Sequence, residues 1–386
     1  MSSLLLSNIY ILGSGPVGLF LANLLVQHGF SNITVIDNRE NYTRERYIKI
    51  TRDLIPGENN DIYNFFNIFD IYTYDLIKRS FINTSAYNFL QDILDKQIKI
   101  KDLQEKLHER CSFYIRRVNY TFTDTKDFLK DYDKNAIVID CMGYNTRMRN
   151  LPGFIYHELD IENVVILTFS LSNKYICNTN CKFTMNKGII NYPFLPYFDE
   201  KYDNNSKHIT AITTIYDNNI AYMLRNIKDL TLDKIKLIDN VLYLDITSFL
   251  FNISTHYSDT VDENTINIIS IPLRLYCSLN PVSIESNNYH IHHYFQVGDS
   301  CIGSPYFQSV TSGFESAIIL TFLLTNNIKS LEDVQTRYKD FININKNKIF
   351  TRTLLLKQKK DIFNNTMIKS SSNKIDSIYL SDAFSF

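Results

Sequence analysis

Residues 8–40 read NIYILGSGPVGLFLANLLVQHGFSNITVIDNRE. Four apolar residues, Ile9 to Leu12, make a short strand that stops at a glycine. Gly13, Gly15 and Gly18 then fall on the G-x-G-x-x-G spacing, and each has a physical task. Gly13 allows a tight turn, Gly15 lets backbone approach a pyrophosphate, and Gly18 lets the following helix pack closely on the strand. Pro16 and Val17 open that helix, whose free N–H groups and partial positive charge suit a diphosphate. Val17, Leu19, Phe20, Leu21, Leu24 and Leu25 give the helix a wide buried face, and Gly29 suits its C-terminal cap. A second strand, ITVID, ends at Asp37, with Asn38 and Arg39 following. An acid about 20 residues past such glycines bonds the ribose of an adenosine. Strand, glycine turn, helix, strand and acid together predict a dinucleotide site.

The remainder of the chain bounds this reading. Its 386 residues exceed one ordinary core, so two lobes are expected. An apolar content of 45% marks a globular chain, and a net charge of −1 gives no reason to expect a nucleic-acid partner. No apolar run is long enough to span a bilayer, and SLLLSNIYIL lacks the basic flank of a signal peptide. Six scattered cysteines fit a reduced, cytoplasmic protein. Cys177 and Cys181 have no second ligand pair, so no metal is expected.

A second motif lies far downstream, in FQVGDSCIGSPYFQSVTSGFESAIILTFLL, residues 295–324. An apolar strand stops at Gly298-Asp299, a loop containing Pro305 follows, and a helix begins near Ser309. Past the second strand of the first motif, NRENYTRERYIKI places Arg39, Arg44 and Arg46 together, with Arg44 the candidate for contact with a cofactor.

These segments resemble the FAD-dependent aromatic hydroxylases with the fold of p-hydroxybenzoate hydroxylase. GSGPVGLFLA has their G-x-G-P-x-G-L-x-x-A form. The resemblance implies FAD, with NADPH or NADH as a possible electron donor. It implies that Asp299 bonds a ribityl hydroxyl and that Val310, Thr311 and Ser312, opening the helix, aim their amides at the flavin ring. On IKIKDLQEKLHERC, the helix where this family places a flavin-touching Arg or Gln, it points to Lys101 and Gln104. YTRERYIKI, this helix and GDSCIGSPYFQSVTSGF are locally most similar to the MICAL hydroxylases. The implied architecture is α/β: a Rossmann-type FAD-binding domain with an inserted antiparallel β-sheet substrate domain. Residues 1–150 and 291–363 would form the first, 151–290 the second, and 364–386 a loose tail.

Two departures stand out. In NAIVIDCMGYNTRMR, aligned on Gly143 and Arg149, Met142 occupies the position of the family's acid. That places direct reduction by a pyridine nucleotide in question. The form IDCxG resembles flavin halogenases instead, but their signature contains tryptophan and this chain has none. The loop after Asp299 carries Gln308-Ser309-Val310-Thr311 where G-x-G is usual.

The implied function is monooxygenation of an aromatic or other apolar substrate through a flavin hydroperoxide. The alternatives are a flavin-dependent oxidase or reductase and a non-catalytic flavin-binding protein. The expected partner is a small molecule, with a protein substrate as a further option. In the inserted lobe, NYPFLPYFDE holds two prolines, which bar a central strand. Its Tyr192, Phe194, Tyr197 and Phe198 are candidates for an apolar substrate pocket or for core. No residue stands out as catalytic; His208, His292 and His293 read as bystanders.

Overall fold

The computed structural model describes residues 4–44, 47–50, 71–82, 84–120, 136–144, 146, 155–172, 191–197, 208–287, 290–305, 309–326 and 330–370. Arg46, Arg149, Cys177, Cys181, Phe198, Gln308 and residues 371–386 lie outside these. The described chain divides into two units, one of Met1–Leu159 with Leu275–Thr351, the other of Asp160–Arg274 with Arg352–Phe386.

The first unit is built on a six-stranded sheet. Its strands are β1 (Ile9–Leu12), β2 (Ile33–Asp37), β5 (Ile115–Asn119), β6 (Ile137–Asp140), β11 (Val282–Asn287) and β12 (His290–Gln296), in the order β11-β12-β6-β1-β2-β5. All neighbours run parallel except β11, which pairs antiparallel to β12. β1 and β6 are buried along their whole length, as expected for parallel strands covered on both faces. A separate small ribbon pairs β3 (Tyr47–Lys49) with β4 (Gln97–Lys99).

Helix α1 (Pro16–Gln27) follows β1 and ends as the sequence suggests, with Gly29 at φ +91° just past its cap. Two helices, α2 (Ile71–Ile82) and α3 (Ser85–Ile93), come next, followed by α4 (Ile100–Cys111). Helix α1 packs on α4 and on α8 (Ser309–Thr325). Phe20 of α1 stacks on Phe314 of α8 with ring centroids 4.1 Å apart. Asn23 ties α1 to α4 by donating from Nδ2 to the Leu107 carbonyl at 2.8 Å.

Glycines make this packing possible. A Cβ on Gly18 would stand 2.1 Å from the Gly13 carbonyl oxygen, and one on Gly313 would stand 2.5 Å from Val17 Cγ2. A Cβ on Gly15, by contrast, would meet nothing within 4 Å.

In the second unit, β9 (His208–Ile215) pairs antiparallel with β7 (Tyr156–Leu171) and with β8 (Leu195–Tyr197). β8 lies at the sheet edge, which accommodates Pro196 without the loss of a ladder bond on both sides. The stretch 218–244, helical by its pattern, resolves into α5 (Asn218–Arg225), α6 (Leu232–Ile238) and the start of α7 (Asn240–Tyr257). Thr231 and Asp239 start the second and third by accepting from backbone N–H groups two or three residues on. The core contains Val165, Leu167, Phe169, Ile246, Phe249 and Ile268.

β7 and β10 (Val261–Ser278) each continue from one unit into the other, so no turn marks the boundaries, and the divisions fall at 159/160 and 274/275. The last helix, α9 (Leu331–Ser370), corrects the expectation of a loose tail from 364: it runs to Ser370. Its second half belongs to the second unit. There Lys360 Nζ lies 2.8 Å from Glu162 Oε1, with both side chains almost fully buried. A buried pair of this kind fixes α9 against β7, because either charge alone would be strongly unfavourable.

Gly18→Ala is expected to destabilise the ligand-free protein by about 3 kcal/mol or more in chemical denaturation, since backbone must yield to the added methyl. Gly15→Ala is expected to stay within about 1 kcal/mol of the parent. Equal losses for the two would contradict the packing assigned to Gly18.

Candidate functional site

The parallel sheet sets the site. Ile36, Leu12, Asp140 and Gln296 are register partners across β2, β1, β6 and β12, so four strand ends form one row. The next residues, Asp37 at the end of β2 and Gly13, Cys141 and Val297 just past the other three strands, therefore stand on the same edge. Backbone bonds tie these loops together: Gly13 N–H donates to Ile36, Cys141 N–H to Leu12, and Val297 N–H to Asp140, at 2.6 to 2.9 Å. The strand order reverses at β1, with β2 on one side and β6 on the other. In open α/β sheets, ligands bind at such a switch point, outside the carboxyl ends of the strands.

The glycine loop is held rigidly. Ser14 donates from its backbone N–H and its Oγ to Asp37 Oδ2, at 2.7 and 2.9 Å. Its carbonyl accepts from Gln104 Nε2 at 2.8 Å. Helix α1 begins at Gly15 with no side-chain cap and no acid in its first turn, which leaves its N-terminal charge uncompensated.

Asp37 is more heavily engaged than the motif suggests. Besides Ser14, it accepts from Arg39 N, Nε and Nη2 at 2.9 to 3.0 Å. Burial alone would raise its pKa, but the Arg39 guanidinium and these N–H groups outweigh that and hold the carboxyl well below the usual range. Five donors saturate its lone pairs. Asn38 beside it is exposed. Arg117 of β5 donates to the Arg39 carbonyl at 2.7 Å and lies over the Tyr42 ring at 4.9 Å.

The downstream motif forms the opposite wall. Gly298–Ser300 make a single tight turn, with Gly298 at φ +70°. Asp299 Oδ1 is buried and, among the described residues, has no hydrogen-bond partner. Burial pushes its carboxyl up to about 6, against the opposing pull of Ser309 and of Arg44. Arg44 is itself held below its usual pKa by its surroundings and by Arg39, while Asp299 and Asp37 act in the other direction. Arg44 thus lies within electrostatic reach of both acids. Its carbonyl accepts from Lys101 N–H at 3.0 Å, which places Lys101 at the start of α4 beside this loop.

Val17 joins the two motifs. A Cβ on Gly298 would stand 3.2 Å from Val17 Cγ1, and Gly313 lies against the same side chain. Pro305 is buried, Thr311 and Ser312 are buried in the first turns of α8, and Val310 is partly exposed there. Ser309 Oγ donates to the Ser304 carbonyl at 2.7 Å and accepts from Ser304 N–H at 3.2 Å, closing the loop around Pro305.

Gln104 is fully buried and turned toward the glycine loop. The pocket candidates belong to the second unit. Phe194 is 2% exposed and stacks on Phe249, so it sits in the core. Tyr192 is partly buried against that core and donates from its hydroxyl to Asp239 Oδ2 at 2.6 Å. Tyr197 ends the edge strand β8, opposite Thr210.

Several contributors carried no clear sequence signal. Ser14 occupies a variable position of the glycine motif. Asp140, which the motif reading passed over in favour of Met142, accepts from Met142 N–H at 2.9 Å and from Thr146 Oγ1 at 2.7 Å. Tyr276 donates from its hydroxyl to the Asp299 carbonyl at 2.7 Å, and its ring fills the space a Cβ on Gly303 would need. Among the described residues no group of His, Cys, Asp and Glu could hold a metal, and no helix is long and apolar enough to cross a membrane.

The sequence matches no family model and no curated protein. Solved structures do share its architecture. Tetracycline destructase Tet(51) superposes with a TM-score of 0.53 over 95% of this chain and 96% of its own, at 14% identity. The OxyS anhydrotetracycline hydroxylase of Streptomyces rimosus gives 0.52 over 95% and 73%, at 11% identity. The flavin-dependent halogenase CmlS gives 0.55 over 99% and 68%, at 12% identity. Nothing in them favours the MICAL branch to which three segments are locally similar. At such identities the likeness is one of fold: a Rossmann-type domain interrupted by an antiparallel-sheet domain, in the arrangement of the p-hydroxybenzoate hydroxylase-like flavin enzymes.

Proposed function

We propose that this chain is an FAD-dependent monooxygenase that inserts one oxygen into an aromatic or other apolar small molecule. The observation that carries the reading is the unpartnered, buried Asp299 Oδ1 on the same strand-end edge as an uncapped, glycine-opened helix. A buried acceptor without a donor is costly unless a ligand supplies one. A long cofactor with a diphosphate at one end and a polyhydroxyl chain in its middle satisfies both features.

The residues present fit FAD. Gly15 has open space where a side chain would stand, so backbone can approach a pyrophosphate there. The N-terminus of α1 then neutralises the diphosphate charge. Asp37 and Arg39 would hold the adenosine ribose, and Asp299 would accept from a ribityl hydroxyl. Arg44 would face the cofactor between the two acids. Val310, Thr311 and Ser312 would direct the amides of α8 at the flavin ring, where partial positive charge favours its reduced, anionic form. Bound FAD supplies the electrons and the activation of dioxygen. The chain supplies placement, a dry site and the electrostatics of two helix ends.

The tetracycline-named neighbours support a polycyclic or aromatic substrate. A second reading, hydride transfer without oxygen insertion, is favoured by Met142 at the family's acid position, with its N–H already taken by Asp140.

An absorbance scan of the purified protein is expected to show bound flavin, and incubation with a reductant, air and phenolic or polycyclic compounds to give a product heavier by one oxygen. A flavin-loaded protein that consumes reductant but never adds oxygen would leave only the second reading. Asp299→Ala is expected to weaken FAD retention at least about tenfold, and the exposed Asp233→Ala to leave it unchanged.

The Asp299 carboxyl has a further consequence. Its folded-state pKa of about 6 lies above the ordinary 3.8, so the fold favours the neutral acid. That contribution is complete below about pH 4 and is lost as pH rises through about 6. Ligand-free Asp299→Asn should therefore gain stability over the parent between about pH 4 and pH 7, by up to about 3 kcal/mol. A difference independent of pH in denaturant titrations would refute the burial assigned to this carboxylate.

A further inference from the structure

We infer that Gln104 is the residue that aims the diphosphate donor of the glycine loop. It acts as a positioning residue and does not itself touch the flavin. The inference rests on the dinucleotide reading above and adds how one peptide of that loop is oriented.

Ser14 is held at three atoms. Its backbone N–H and its hydroxyl are both taken by Asp37 Oδ2, at 2.7 and 2.9 Å. Its carbonyl is taken by Gln104 Nε2 at 2.8 Å. Ser14 and Gln104 are both fully buried. A carbonyl can only accept, so the amide of Gln104 must present its NH2 group there. In a trans peptide the carbonyl of one residue and the N–H of the next point in opposite directions. With the Ser14 carbonyl drawn toward α4, the Gly15 N–H must face away from α4. Gly15 is also the loop glycine beside which a Cβ would find only open space. Gln104 therefore fixes the direction of the donor that opens α1, and it does so from a helix fastened independently to α1 through Asn23 and Leu107. Among the described residues Gln104 Oε1 has no partner, so the bond to Ser14 sets the orientation of the amide.

Three variants test this, with ADP as the probe and calorimetric affinity as the readout. Gln104→Leu keeps bulk and removes the donor; it is expected to lose about tenfold in ADP affinity and to bind riboflavin, which has no diphosphate, as the parent does. Asn23→Ala removes the α1–α4 tie without touching Ser14; it is expected to lower the denaturation midpoint and leave ADP affinity within about twofold. Gln104→Glu can donate to the Ser14 carbonyl only while protonated. Its ADP affinity relative to the parent is expected to fall as pH rises through the titration of the new acid, a response that packing alone would not produce.

If the parent binds ADP and Gln104→Leu binds it equally, or Gln104→Glu shows a flat ratio, the assignment to Gln104 is overturned and the flavin reading stands. If Gln104→Leu does not fold, the Gln104→Glu profile decides. If the parent binds ADP but no FAD, the flavin reading fails and this assignment is judged on ADP alone. A parent that binds no ADP overturns both.

Discussion

The structure of the first unit depends on how closely helix α1 approaches the loops around it. Gly18 lies against the carbonyl of Gly13, and Val17 fits against Gly298 and Gly313. Each contact leaves no room for a Cβ without displacing a neighbour. Through Val17, two segments from opposite ends of the chain share one surface. Stacking of Phe20 on Phe314 extends that contact into the core. A helix held this near to strand ends brings its own N-terminus to the same edge of the sheet, which is where the proposed diphosphate would lie.

The polar groups on that edge follow two different designs. Asp37 is satisfied in full, by a serine on one side and an arginine on the other. It is a rigid acid whose ligand must compete for it. Asp299 is the reverse. Its Oδ1 is buried and unpartnered among the described residues, and burial drives its carboxyl toward neutrality. The first acid organises the loop before any ligand arrives, and the second is poised to gain from one. Arg44 responds electrostatically to both, so it links the two ends of the proposed cofactor path.

Much of this was legible because it is local. The glycine spacing, the apolar runs of β1 and β2, the stop at Gly298-Asp299 and the cap at Gly29 each follow from conformational rules acting within a few residues. Other features were not, because they depend on partners distant in sequence. The pattern of residues 218–244 is helical, and capping by Thr231 and Asp239 divides it. The boundaries between units fall inside β7, β10 and α9, where no turn residue signals them. The C-terminal helix continues past 364 although its composition turns polar, and further back along it a lysine is buried against Glu162. Phe194 reads equally as pocket or core until Phe249 is seen beside it.

By itself, then, the sequence determined the dinucleotide-type loop, the parallel α/β class and the second motif, since all three are written in short-range sterics and periodicity. Tertiary structure alone decided which groups those motifs would find. It gave Asp37 to Ser14, turned Gln104 onto the Ser14 carbonyl, and left an oxygen of Asp299 without a partner among the described residues. Hydrogen bonds between residues dozens or hundreds of positions apart depend on how strands align and helices pack, and no local pattern encodes that alignment.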